Sequence, residues 1–197
     1  MKITTPPLNP NAINADFIIE KLREELLTLV SLNLVVLPRA IPKQRLGLKG
    51  RIVRFPIVEQ YKATSGTYDN LSCEPIEKTN FCFFGYDKER EDSEGRLIVT
   101  NLSCIFYFDL RTIQSNEDIK AKVKQDLQSI FNKVYPFELQ VTEIIDLDFD
   151  SVWQGYKLPD LEMQYFNYPF YTLRFSFPEV IGQYKCSPLS IYVKNLC

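Results

Sequence analysis

The sequence predicts an α+β fold: a mostly antiparallel sheet with two main helices packed on it, a long β-hairpin and extended loops. Three observations predict it. From Asn101 to Arg111 the side chains alternate, with Leu102, Cys104, Phe106, Phe108 and Leu110 on one face and Ser103, Ile105, Tyr107 and Asp109 on the other. That two-residue period is the mark of a half-buried strand. Next, Ile119, Val123, Leu127, Ile130, Phe131 and Val134 recur at spacings of three and four, while Lys120, Lys122, Lys124 and Gln128 fall on the other side, as in an amphipathic helix from about Asn116 to Val134. Ser115 and Asp118 are suited to its N-terminus, and Pro136 cannot continue it. Beyond the proline, Leu139, Val141, Ile145, Leu147 and Phe149 resume a period of two. Residues 97–149 are the expected spine of the fold.

Taken in order, residues 1–13 carry Pro6, Pro7 and Pro10 and little apolar pattern, so they read as an extended arm that docks on something else. Asn14 is placed to cap a first helix reaching about Ser31. Its stripe is Ile18, Leu22, Leu26 and Leu29, with Glu20, Lys21, Arg23 and Glu24 off the stripe. Asn33–Leu37 is a short apolar run stopped by Pro38. Residues 38–50 then read as a basic loop, Arg51–Lys62 as an edge or bulged strand containing Pro56, and 63–77 as a long loop, so that about 38–80 is a loop-rich insertion. Asn80–Tyr86 is a strand leading to a charged hairpin tip, Asp87–Gly95, with the acids Asp87, Glu89, Glu91, Asp92 and Glu94. After the spine, Asp150–Leu161 is irregular with one helical turn around Trp153. An aromatic stretch, 162–177, then alternates Tyr171, Leu173, Phe175 and Phe177, reads as a central or interface strand, and is stopped by Pro178; Ile191–Val193 is a last short strand. Residues 14–197 form one expected domain.

Composition narrows the chemistry. The chain has 197 residues, enough for one sizeable core, and its 45% apolar and 24% charged content is that of a globular protein. A formal net charge of −2 gives no electrostatic reason to propose a nucleic-acid binder, whose affinity for phosphates comes mostly from clustered Lys and Arg. There is no histidine, which removes every Ser-His and Cys-His mechanism and the commonest metal ligand. Five cysteines (Cys73, Cys82, Cys104, Cys186, Cys197), odd in number and without a CxxC pair, fit free structural thiols better than a disulfide framework or a zinc site. No signal peptide and no apolar run of membrane-spanning length is visible, so the chain is expected to be made and kept in a cytoplasm.

Neither a phosphate-binding glycine loop nor a nucleophile elbow occurs. The sharpest cluster is Asp146, Asp148 and Asp150, spaced by two and expected on one face of a strand end, where carboxylates could attract magnesium or calcium. Ser151 stands where an EF-hand needs glycine, and Lys157 where it needs glutamate. The outward face of an amphipathic strand accounts for all three acids, so no metal or other cofactor is expected. Aromatic content is high at 13%, but the aromatic C-terminal third is not basic, which favours core or protein contact over base stacking.

A helix first, a long hairpin with extended loops, then strand, helix and strands ending in YPFYTLRFSF: this order resembles the tail-terminator and tail-completion proteins of the tailed-bacteriophage neck, over roughly residues 14–177. The resemblance implies a non-catalytic virion protein, made in the host cytoplasm, that forms a homo-oligomeric ring of the head-to-tail connector. Its partners would be other neck, portal or tail proteins, with DNA passing through without specific binding and no membrane contact. Pro6, Pro7, Pro10, Asp87, Glu89, Glu91, Asp92, Glu94 and Tyr171 would then be assembly contacts. The insertion at about 38–80 and the segment after Pro178 depart from that family's pattern. Two other classes stay open: a metal-dependent enzyme using Asp146, Asp148 and Asp150, and a monomeric binding module with an aromatic surface.

Overall fold

The computed structural model describes residues 4–10, 12, 14–46, 52–62, 67–73, 78–86, 88–91, 97–113, 118–131, 141, 143–146, 148–156 and 168–181. Helix α1 (Asn14–Leu26) is followed by a 3₁₀ turn (Val30–Leu32) and strands β1 (Leu34–Leu46), β2 (Ile52–Lys62), β3 (Thr67–Ser72), β4 (Asn80–Gly85), β5 (Lys88–Glu91) and β6 (Leu97–Asp109). Helix α2 (Ile119–Phe131), β7 (Glu143–Ile145), the single turn α3 (Phe149–Val152) and β8 (Phe170–Ile181) complete it. The strands make one sheet in the order β3-β2-β1-β4-β6-β8-β7, with β5 also on β6. Every pair is antiparallel except β1 with β4. The α+β class and the mostly antiparallel sheet expected from the sequence are therefore present.

Alternation in β4, β6 and β8 sorts the side chains into two cores. On one face Cys82, Phe84, Leu102, Cys104, Phe106, Phe108, Leu173 and Phe175 pack under α1 (Ile18, Leu22, Leu26) and α2 (Val123, Leu127, Ile130, Phe131). At roughly 1.5–3 kcal/mol per large side chain, this layer is a major source of stability. On the other face Phe81, Phe83, Ile105 and Tyr107 meet Val152 and Trp153. The indole stacks on Phe149 at 5.0 Å and tilts against Phe83 at 5.3 Å. This second core corrects the half-buried reading of β6: Leu102–Asp109 is buried throughout, because α3 and the residues after it cover the face expected to be wet.

Five boundaries also differ. Helix α1 ends at Leu26, not near Ser31, and a separate 3₁₀ turn takes up Val30–Leu32. Asp118, not Ser115, caps α2, its Oδ1 accepting from the Lys120 amide at 3.1 Å; Ser115 lies outside the described residues. Phe149 begins α3 rather than ending a strand, and β7 is only three residues long. Pro178 does not stop β8: Phe177 pairs with Leu102 and Glu179 with Thr100, so long β6 holds the strand on both sides of the proline. Finally, much of the presumed insertion is sheet. β1 runs through Pro38 and Pro42, with a register irregularity between Val36 and Arg39, and β3 occupies part of the expected loop. Pro42 faces Pro56, and Pro56 turns its carbonyl away from β1 to accept from the Cys73 amide at 2.9 Å. Its missing N–H points the same way, so the facing prolines remove no bond between β1 and β2. Ile191–Val193 lies outside the described residues.

Candidate assembly surfaces

Residues 4–10 are not a free arm but lie against the chain's own α1 and β1. Over Leu34–Arg39, β1 has β4 on one edge, whereas β2 joins its other edge only from Ala40. Val36 would leave both backbone groups bare there. Its N–H donates to Thr5 Oγ1 (3.2 Å), and its carbonyl accepts from Arg23 Nη2 (3.3 Å), which also donates to the Pro6 carbonyl at 2.7 Å. Arg23 Nη1 donates to both Glu20 oxygens (2.6 and 2.7 Å), and Glu20 Oε2 accepts from the Asn9 amide at 3.0 Å. The expectation that Arg23 lies off the packed stripe is thus corrected: it is 1% exposed. Pro6 is half-buried, Pro7 and Pro10 are exposed, and Pro10 sits in a turn closed by Ala12 N–H to Asn9 O at 3.2 Å.

Because β1 runs parallel to β4, the β1–β2 hairpin leaves the sheet at the same end as the β5–β6 hairpin. The first carries six basic residues and no acid over 39–54, and the second five acids and two bases over 87–94. Leu46 and Ile52 face each other at the outer end of the first and are 76% and 63% exposed. At its base Arg39 lies 3.6 Å from Asp16 and donates to the Tyr86 hydroxyl, with its guanidinium 4.9 Å from the centre of that ring. Glu89 and Glu91 belong to β5, opposite Val99 and Leu97, so half of the expected tip is strand. Asp87, Asp92 and Glu94 lie outside the described residues.

Of the two readings of the aromatic strand, central or interface, the central one holds: β8 pairs with β6 on one side and β7 on the other. Tyr171 is 6% exposed, stacked on Phe108 at 6.4 Å, and Leu173, Phe175 and Phe177 are buried under α2. Burial first, then the charges of Asp146 and Asp118, push the Tyr171 phenol up to about 12. This face of β8 is core.

The three aspartates do not share a face. Asp146 accepts from Lys124 Nζ on α2 at 2.7 Å; Asp148 caps α3, accepting from the Ser151 amide (2.8 Å) and hydroxyl (2.7 Å); and Asp150 is exposed in the first turn of α3. The chain turns from β7 into a helical cap here, so the strand periodicity assumed for them breaks. Among the described residues, no three Cys, Asp or Glu side chains group as metal ligands would. A shallow groove of about 440 Å³ lies over α2 between Asp118, Lys122 and Ser129, with polar walls.

The most developed polar cluster lies where β4 and β6 meet. Asp109, fully buried, accepts from Arg111 Nε (3.0 Å) and Nη2 (2.7 Å) and from the Lys78 amide (2.7 Å). Asn80 Oδ1 accepts from the Asp109 amide and the Thr112 hydroxyl, both at 2.9 Å, and Asn80 Nδ2 donates to the Leu32 carbonyl at 2.7 Å. Arg111, with the Lys78 and Arg111 amides, holds the Asp109 carboxyl below the usual carboxylate range against the opposing effect of burial. Such a group is a strut, since a carboxylate made less basic and filled with donors is a poor proton acceptor. Tyr107 and Tyr168 share a hydroxyl contact at 2.9 Å, and burial raises the Tyr107 phenol far above its ordinary value. Burial likewise raises the Cys104 thiol beside Cys82, the opposite of an activated nucleophile.

No protein-family model, no curated protein and no solved structure matches the chain. Among the described residues, no helix is long and apolar enough to cross a membrane. Sequence reading missed Arg23, Asn80 and Asp109 as organising residues. One signal was present: Glu20 and Arg23 are spaced by three, on adjacent turns of a helix.

Proposed function

We propose that the chain is a non-catalytic structural subunit that assembles with copies of itself into a ring of the tailed-phage neck, as tail terminator, completion protein or adaptor. The observation that carries this reading is the pair of oppositely charged hairpins leaving one end of the sheet, with exposed Leu46 and Ile52 the last described pair of the basic one. Among the described residues, both faces of the central strands β4, β6 and β8 are packed by the chain itself, which leaves these extensions and the arm as the places for contact with neighbours. Supporting it, the buried ionisable groups described above are tied into struts rather than opposed as acid and base. The weak net charge and the acidic segment 87–94 suit a conduit that lets DNA pass, because a basic lumen would hold phosphates. On this reading the protein resides in the virion after synthesis in the host cytoplasm, and its partners are its own copies and adjoining neck, portal or tail proteins. The test is light scattering with negative-stain imaging over a concentration series, alone and with tail-tube protein. A closed particle of uniform symmetry is expected; a monomer under every condition overturns the proposal.

A further inference from the structure

We infer that the outer edge of β1 is a receptor for an extended segment, and that in the assembled protein it is filled by the arm of a neighbouring copy. The inference rests on the homo-oligomeric reading above. The receptor is built from α1 and β1: buried Arg23, Glu20 and the backbone of Val36. The ligand is residues 5–9, and two of its three anchors are main-chain groups, the Pro6 carbonyl and the Asn9 amide, joined by the Thr5 hydroxyl. Contacts of this kind are indifferent to which chain supplies the segment.

An uncovered strand edge is an open template for pairing, so Leu34–Arg39 needs a cover whatever its source. Exchange preserves these bonds and opens the turn from Asn9 to Ala12, where the Ala12 amide donates to the Asn9 carbonyl. Between the docked Asn9 and the start of α1 at Asn14 the chain has five residue steps, about 17 Å when extended, so exchange joins edges that lie within that distance of each other. In a ring each subunit offers the same edge at high local concentration, which favours a reciprocal swap. Leu8, 37% exposed on the arm, gains a surface to cover it when two subunits meet there.

The experiment places a photo-crosslinking amino acid at Leu8 in the full chain, mixes nitrogen-14 and nitrogen-15 preparations after dissociation, and lets them reassemble. Light scattering reports assembly before illumination, and mass spectrometry then reads the crosslinked peptides. Pairs joining the arm to an α1 or β1 peptide of the other isotope, as abundant as like-isotope pairs, are the expected result. A particle that assembles but yields only like-isotope pairs overturns the exchange and leaves the ring reading standing. A chain that never assembles by light scattering overturns both, and the two failures are told apart before any crosslink is read.

Discussion

Arg23 Nη1 lies 2.6 Å from Glu20 Oε1, one turn apart on α1, and the guanidinium is 1% exposed. Removing one member of such a pair strands the other. Arg23→Ala should therefore cost about 3–5 kcal/mol, and replacing both residues by methionine should cost less than the single change. Urea unfolding of the two variants checks this; a double variant as weak as Arg23→Ala would show that the bonds to Pro6 and Val36, not the charge pair, dominate.

Leu127 is fully buried at the centre of the α2 stripe, against the face of β6 and β8. Truncation to alanine should destabilise by about 2–5 kcal/mol, the transfer and cavity terms together. A midpoint shift in denaturant equivalent to less than about 0.5 kcal/mol would remove α2 from the core.

Why these parts were legible is itself physical. A period of two or of three and four survives in any sequence that must bury one face, so β4, β6, β8, α1 and α2 could be read directly. The second core could not: Ser103, Ile105, Tyr107 and Asp109 look like a wet face, yet Ile105 and Tyr107 are buried with residues distant in sequence, Leu37, Val58 and Trp153 among them, and Asp109 with Asn80 and Arg111. Proline misled three times, at Pro38, at Pro178 and at Pro56, whose strand β2 lies between β1 and β3 rather than at an edge, because its cost depends on where the N–H would have pointed and on the neighbouring strand. Asp146, Asp148 and Asp150 were misplaced for a related reason. Spacing by two implies one face only while the backbone remains extended, and here it turns into α3.

Trp153 is the sole tryptophan and is 1% exposed among Phe149, Phe83 and Phe81. Its emission should be blue-shifted in the native state and move red in a single transition on unfolding. An emission maximum already at the value for solvated indole would contradict the second core.

Asp109 links stability to acid. Its carboxyl is held below the usual range mainly by Arg111, so the folded chain keeps it ionised more readily than the unfolded chain does. That contribution is present above the unfolded carboxylate pKa of about 3.9 and is lost as pH falls through the lower folded value. Asp109→Asn should be less stable than the wild type at pH 7, with the difference narrowing below about pH 4. Denaturant midpoints across that range test it; a gap that stays constant with pH would show that Arg111 does not hold the charge.

Tyr171 predicts the opposite limb. Its phenol is half of a contact between β8 and the segment after β7: the ring stacks on Phe108, Lys120 Nζ lies 5.6 Å from the ring centre, and Asp146, already held by Lys124, stands near the hydroxyl. Burial and the nearby carboxylates push the folded-state value up to about 12, against about 10 for a free tyrosine. The native protein therefore keeps this proton where the unfolded chain has released it. The resulting stability is complete below about pH 10 and is lost as pH rises towards 12. Tyr171→Phe removes the ionisable group and should shallow the alkaline decline in denaturant midpoint, leaving the part due to Tyr107, whose phenol is also raised. The decisive comparison is the slope of midpoint against pH between about 10 and 12 in the two proteins. If the phenylalanine variant declines as steeply as the wild type, Tyr171 is not held neutral in the core, and its burial beneath α2 is wrong.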